Sequence, residues 1–354
     1  MVKPSSPALS TGEVYVPGLS REYVARKYGV PPDDIAKLAS AENPHGASPR
    51  ALAAVEAARQ RLDIYPDWTA AELRAAIGAK YGFDPECVVC GAGETEIISM
   101  VIRAFARPDD PVLMHRPCFP LYRIYANCEG RRPVYAPMGK DFDPQVAAYV
   151  DALRAVHPRI AFVTNPHNPT GGWIEEEDVC RICDAASDET LVVLDEAYVH
   201  YGEAAFGMEL LRKYRNLIVL RTFSKAYGLA GLRVGFGVSA NPELIRPLRS
   251  VKPTWNMGQM QIAGGVAALD DDAHVERAVR TVVEMRRYVA DGIAGMDRFR
   301  VVPGSRANFF LVEILDRSLD STRVFEKLLE RGVIVKNGAD IEGLGSRYLR
   351  VDVN

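Results

Sequence analysis

Between Arg221 and Gly235 the chain reads Arg-Thr-Phe-Ser-Lys-Ala-Tyr-Gly-Leu-Ala-Gly-Leu-Arg-Val-Gly. Lys225 follows an apolar, β-branched run over 216–220 that reads as a buried strand. A lysine set among small residues at the end of a core strand is poorly placed for a solvated charge. It suits an amine that must lose its proton and form an imine. Ser224 beside it and Arg233 eight residues on supply the donors a phosphate wants. An imine-forming amine beside a phosphate site points to pyridoxal phosphate (PLP). For this stretch alone, an ordinary surface lysine is the competing reading.

Four further groups lie upstream, each after a strand-like run. Gly91-Ala-Gly93-Glu94-Thr95-Glu96 opens a helix, whose first backbone N–H groups form an anion site. It is not a dinucleotide fingerprint, because Glu96 stands where G-x-G-x-x-G needs its third glycine. Phe119, in Arg116-Pro-Cys-Phe-Pro-Leu-Tyr122, can stack on a planar ring at a strand's carboxyl end. Asn168, in Asn165-Pro-His-Asn-Pro-Thr-Gly171, can donate to a phenolate oxygen. Asp195 ends the apolar run 191–194, where a carboxylate is costly unless paired. A protonated pyridine nitrogen is a suitable partner, and Tyr198, three residues on, can reach the ring oxygen. A helix N-cap is the alternative for Asp195.

The elements that position these groups alternate. Strands are expected at 87–90, 112–114, 160–164, 191–194 and 217–220, with helices over 20–28, 48–61, 70–81 and 97–105. This alternation implies an α/β domain with a mostly parallel sheet flanked by helices. A long helix over 273–295, strands at 309–312 and 333–335 and a helix over 322–331 read as a smaller α+β domain. The expected division is an arm and part of the small domain over 1–40, a large domain over 41–250 and a small domain over 251–354.

The 354 residues can bury a large core, and 48% hydrophobic with 25% charged residues is ordinary globular composition. A formal net charge of −3 gives no reason to expect nucleic acid or a membrane surface as partner. No apolar run is long enough to span a bilayer, and Met1-Val-Lys-Pro-Ser-Ser6 lacks an apolar signal core, so a cytoplasmic location is expected. Two C-x-x-C pairs, Cys87/Cys90 and Cys180/Cys183, resemble metal or redox motifs. The first sits in a strand pattern and the second in a helix pattern, neither supplying the turn that converges on an ion. No metal is expected.

Together these residues resemble the PLP-dependent fold-type I aminotransferases of class I/II, and within them the histidinol-phosphate aminotransferases. The resemblance runs from Tyr15-Val-Pro-Gly18 through Tyr65-Pro-Asp67, Asn168-Pro-Thr-Gly171, Asp195-Glu-Ala-Tyr198 and Ser224-Lys225 to Arg233, Ser305-Arg-Ala-Asn-Phe309 and Tyr348-Leu-Arg350. It implies that Lys225 forms the cofactor imine, Asp195 pairs with the pyridine nitrogen, Tyr198 and Asn168 flank the ring oxygen, and Phe119 stacks on the ring. Ser224, Arg233 and the backbone of Gly93, Glu94 and Thr95 would hold the phosphate. Tyr65 would reach the cofactor phosphate of a neighbouring subunit, implying a homodimer. Arg350, Lys336 and Tyr15, with Asn168, would face the substrate. The chain departs from the family in three places: Ala41 opens its Asn-Glu-Asn-Pro motif, Lys336 stands for an arginine, and the chain stops at Asn354 where a final helix normally follows.

The resemblance implies ping-pong transamination of histidinol phosphate with 2-oxoglutarate, a step of histidine biosynthesis. An aromatic or other amino acid aminotransferase and a threonine-phosphate-type PLP decarboxylase are the alternatives on the same scaffold. A zinc- or nucleotide-binding protein without catalysis is the alternative from a different class.

Overall fold

The structure is a computed structural model that describes residues 13–202 and 204–354, together with Leu9. Residues 1–6 and part of the expected arm lie outside the described residues. A seven-stranded sheet runs in the order β2-β8-β7-β6-β5-β3-β4. Its strands are β2 (Val88–Ala92), β3 (Pro111–Arg116), β4 (Arg132–Pro137), β5 (Ile160–Thr164), β6 (Leu191–Asp195), β7 (Leu217–Thr222) and β8 (Val234–Val238). All neighbours are parallel except that β8 runs antiparallel to both β2 and β7. The runs IAFVT, LVVLD and LIVLRT are buried throughout, as strands covered on both faces by helices must be.

A four-stranded antiparallel sheet has the order β12-β13-β10-β9, with β9 at Phe299–Val301, β10 at Phe309–Ile314, β12 at Lys336–Asn337 and β13 at Tyr348–Asp352. A short parallel pair joins β1 (Ala36–Lys37) to β11 (Val333–Ile334). Met257, Ile262 and Leu269 share one apolar core with the large sheet.

Six strands escape the sequence reading: the two-residue β1 and β12, and β4, β8, β9 and β13. β4 reads Arg-Pro-Val-Tyr-Ala-Pro and β8 reads Val-Gly-Phe-Gly-Val, so prolines and glycines blur the apolar pattern. Gly235 of β8 has a packing reason: a Cβ there would lie 2.3 Å from the Glu94 amide nitrogen. Short β9 and the mixed β13 show no clear alternation. Expected helix starts are close, though the helix expected over 97–105 begins at Glu94 because Gly93 caps it. Cys90 lies in β2, and Cys180 and Cys183 lie on the helix Glu176–Ala185. Among the described residues no helix is long and apolar enough to cross a membrane, and no cluster of ligating side chains could hold a metal ion.

Candidate active site

The carboxyl ends of β2, β3, β5, β6 and β7 converge on one cavity of about 420 Å³, lined by Glu94, Thr95, Phe119, Asn168, Asp195, Tyr198, Ser224, Lys225 and Arg233 among others. This is where open parallel sheets bind ligands. Asp195 and Lys225 meet because β6 and β7 are parallel neighbours, with Asp195 opposite Leu220. The Lys225 amine donates to the Ser40 carbonyl at 2.9 Å and lies 5.3 Å from the Tyr198 ring centre. Burial lowers its pKa from the ordinary 10.5 to about 8, so a neutral nucleophilic amine is accessible in mildly basic water.

Asp195 is buried, accepts from the Ala197 amide at 3.0 Å and accepts a hydrogen bond from the Tyr122 hydroxyl on its other oxygen. The contact with Ala197 is a local turn and not the helix N-cap of the alternative reading: Asp195 ends β6, and the next helical turn, Val199–Tyr201, is capped at Tyr198. The Glu94 side chain also faces Asp195, whereas the sequence reading used only the Glu94 backbone, at the phosphate. Burial pushes Glu94 well above the usual carboxyl range, with the charge of Asp195 next. Burial raises Asp195 too, opposed by the hydrogen bonds from Tyr122 and Glu94. Burial thus works against the charged form of both carboxyls, and more strongly at Glu94.

On the opposite side of the cavity, Arg233 adopts a left-handed backbone (φ 61°) that turns its guanidinium inward. It donates to Ser224 Oγ at 3.2 Å and to Thr95 Oγ1 at 3.4 Å. Gly93 has φ +79°, and a Cβ there would sit 2.1 Å from Arg233 Nη2. Two hydroxyls, a guanidinium and the first amides of the helix Glu94–Phe105 thus form a cradle that a side chain at 93 would fill. These residues fit a phosphate, and the lysine and carboxylate beyond them fit the aldehyde and ring nitrogen of PLP.

Asn168 links the two ends of the site: its amide donates to Tyr198 Oη at 3.4 Å and its carbonyl accepts from Arg350 Nη1 at 3.2 Å. Phe119 packs edge-on to Tyr122 at 5.6 Å and to Tyr15 at 6.1 Å. Tyr15, Phe119, Asn168 and Arg350 also line a second cavity of about 430 Å³, which carries Lys336. The Lys336 amine donates to the Val16 carbonyl at 2.7 Å and lies 5.9 Å from the Tyr15 ring centre. Tyr65 is not brought in: it is 75% exposed and stacks on Trp255 at 4.4 Å. Tyr122, Glu94's side chain and Asp352 are the groups sequence reasoning missed. Asp352 stands two residues after Arg350, a strand spacing that places both on one face.

Residues 33–354 match the family described as aminotransferase class I and II. The chain is 43% identical over 328 residues to a histidinol-phosphate aminotransferase of Anaeromyxobacter sp. (strain Fw109-5), covering 91% of this chain and 87% of that protein. Among solved structures it resembles a histidinol-phosphate aminotransferase from Sinorhizobium meliloti in complex with pyridoxal-5'-phosphate, with a TM-score of 0.88, 24% identity and coverage of 100% and 94%. It also resembles the L-threonine-O-3-phosphate decarboxylase of Porphyromonas gingivalis, with a TM-score of 0.78, 19% identity and coverage of 90% and 94%. At these identities the two structures speak to the fold alone.

Proposed function

The chain belongs to the aminotransferase class I and II family, and from that premise we propose that it transfers the amino group of histidinol phosphate to 2-oxoglutarate, as a cytoplasmic homodimer using PLP. The observation that carries the reading is one cavity holding the Lys225 amine, the Asp195 carboxylate and the Arg233 cradle, opening onto a wall with Arg350 and Lys336. The donor's identity is supported by the 43% identical relative named for that reaction.

When bound, PLP supplies an aldehyde that condenses with amines and a protonated ring that draws electrons from the substrate's α-carbon. Ser224, Thr95, Arg233 and the backbone of Gly93, Glu94 and Thr95 hold the phosphate. Asp195 keeps the ring nitrogen protonated, and Tyr198 and Asn168 hydrogen-bond the ring oxygen. Lys225 would bind the aldehyde carbon and, once free, would take the proton from the substrate's α-carbon and deliver it to that aldehyde-derived carbon, as base and then acid. Arg350, Lys336 and Tyr15 bind the substrate's anionic group. In this reading the exposed Tyr65 serves the cradle of a second copy.

The test is the visible spectrum of the loaded protein titrated separately with histidinol phosphate, glutamate, phenylalanine and O-phosphothreonine. Loss of the imine colour with histidinol phosphate and glutamate, reversed by 2-oxoglutarate, is expected. Response to phenylalanine with none to histidinol phosphate would reassign the donor, and carbon dioxide released from O-phosphothreonine would reassign the reaction.

A further inference from the structure

Arg350 and Asp352 lie two residues apart on β13, on one face of the strand, and both are buried. Arg350 Nε donates to Asp352 Oδ1 at 3.0 Å and Nη2 donates to Asp352 Oδ2 at 3.3 Å. Nη2 also donates to the Ala39 carbonyl at 3.1 Å, and Nη1 to Asn168 Oδ1 at 3.2 Å. One face of the guanidinium lies 4.7 Å from the Phe309 ring centre. An arginine has five N–H donors, so four are engaged within the protein and one, on Nη1, is left for an incoming anion. The two-pronged grip that usually makes arginine a phosphate receptor is already used on Asp352.

The second oxygen of Asp352 also accepts the Ala41 amide proton. The carboxylate therefore ties β13 to the segment just before the Asn43 loop, and Asn43 in turn donates to the Ala226 carbonyl beside Lys225 at 2.7 Å. Farther out, Arg116 and Arg123 face Glu342 at 3.3 Å and 2.7 Å, and Arg123 also pairs with Glu13. Asp340 is exposed at the cavity's rim. Among the described residues no carboxylate forms an ion pair with Lys336. Lys225 also faces Asp352, and Asp340 faces Lys336 from the exposed rim; apart from the imine-forming amine and that rim carboxylate, the inner wall carries two cations, Arg350 and Lys336, against one buried anion, Asp352.

We propose that Asp352 is a specificity-determining residue: it occupies the fork of Arg350 and holds the inner wall at one net positive charge, so that the site favours a singly charged group over a doubly charged one. The inference rests on reading Arg350 as the group that faces the substrate's anion. A carboxylate, or a phosphate ester that keeps one proton, matches this wall; a dianion leaves one of its charges uncompensated.

The probes are propionate and methyl phosphate, bound to the PLP-loaded full chain and measured by calorimetry at about pH 8, above the second ionisation of a phosphate monoester near 6. Asp352→Asn keeps an acceptor for the Ala41 amide while removing the charge. It is expected to tighten methyl phosphate roughly tenfold more than propionate. Equal changes for the two anions, or none, would overturn the proposal and leave Asp352 a positioning residue only. In the unaltered protein, a readout that survives a variant that does not fold, methyl phosphate is expected to bind more tightly as pH falls from about 8 towards 5 while propionate does not; weaker binding would overturn it. Arg350→Ala is expected to weaken both anions, and if it weakens neither, the reading of Arg350 falls and this proposal with it. If Arg350→Ala weakens both but Asp352→Asn leaves their ratio unchanged, only the role of Asp352 fails.

Discussion

The Tyr122 hydroxyl donates to the Asp195 carboxylate and stands 2.9 Å from Thr164 Oγ1, its ring stacked on Phe162 at 4.3 Å. A tyrosine from the helix Pro120–Cys128 therefore aims the carboxylate that ends β6. Tyr122→Phe keeps the stacking and removes one hydrogen bond to a charged group, worth about 1.5–3 kcal/mol. Cofactor affinity and kcat are expected to fall roughly 10- to 100-fold, with the melting temperature lowered by a few degrees. Unchanged kinetics would mean that Ala197 and Glu94 hold Asp195 without help.

Lys225 offers a pH test. In the cofactor-free chain its amine is expected to react with an amine-directed reagent with a midpoint near pH 8 rather than 10.5. The linked stability has a definite sign. Between about 8 and 10.5 the unfolded state holds the extra proton, so this group adds stability as pH rises. That contribution amounts to about 1.4 kcal/mol per pH unit and is lost as pH falls through 8. Lys225→Met should flatten the difference in unfolding free energy across this window. Parallel pH profiles for the two proteins would refute the depressed pKa.

Gly93 tests the cradle. Gly93→Ala must place a methyl group 2.1 Å from Arg233 Nη2 and accept φ +79°, a backbone region costing of order 1–3 kcal/mol for other residues. Displacement of Arg233 should weaken PLP, and also inorganic phosphate, at least tenfold in equilibrium dialysis. Normal binding of both would place the phosphate elsewhere.

Beneath the site, Arg221 and Glu196 form a buried ion pair at 2.7 Å, with Glu196 Oε1 also accepting the Gly207 amide at 3.1 Å. Glu196→Ala leaves a buried guanidinium without its partner and is expected to cost about 3–5 kcal/mol in denaturant unfolding. A loss below about 1 kcal/mol would show that water or Tyr81, whose ring centre lies 5.0 Å from the guanidinium carbon, compensates.

Tyr65 tests the assembly. Its exposure predicts that Tyr65→Phe leaves the melting temperature unchanged while weakening PLP several-fold. Mixing Tyr65→Phe and Lys225→Ala chains should yield heterodimers in which one site carries both changes and the other carries neither. At limiting PLP, activity above the sum of the two parents is the expected result on mixing, and strictly additive activity would place Tyr65 outside the neighbouring site.

Much of this site was legible in order along the chain because each group follows an apolar run, and parallel sheets gather the carboxyl ends of their strands. Lys225, Asp195, Asn168 and Ser224 needed only that rule, whereas Arg233 sits at the amino end of the antiparallel β8. By contrast, Tyr122 and the Glu94 side chain read as a helical aromatic and a first-turn acid. Nothing local says that both turn toward Asp195, because that depends on how two helices pack over one sheet edge. The left-handed Arg233 and the close-packed Gly93 are likewise intelligible only as a pair 140 residues apart. Composition and the order of these groups along the chain were determined by the sequence itself. Tertiary structure decided which charges neutralise one another. Asp352 reaches Ala41 across 311 residues, and electrostatics in a buried wall depends on distance and dielectric rather than on spacing along the chain.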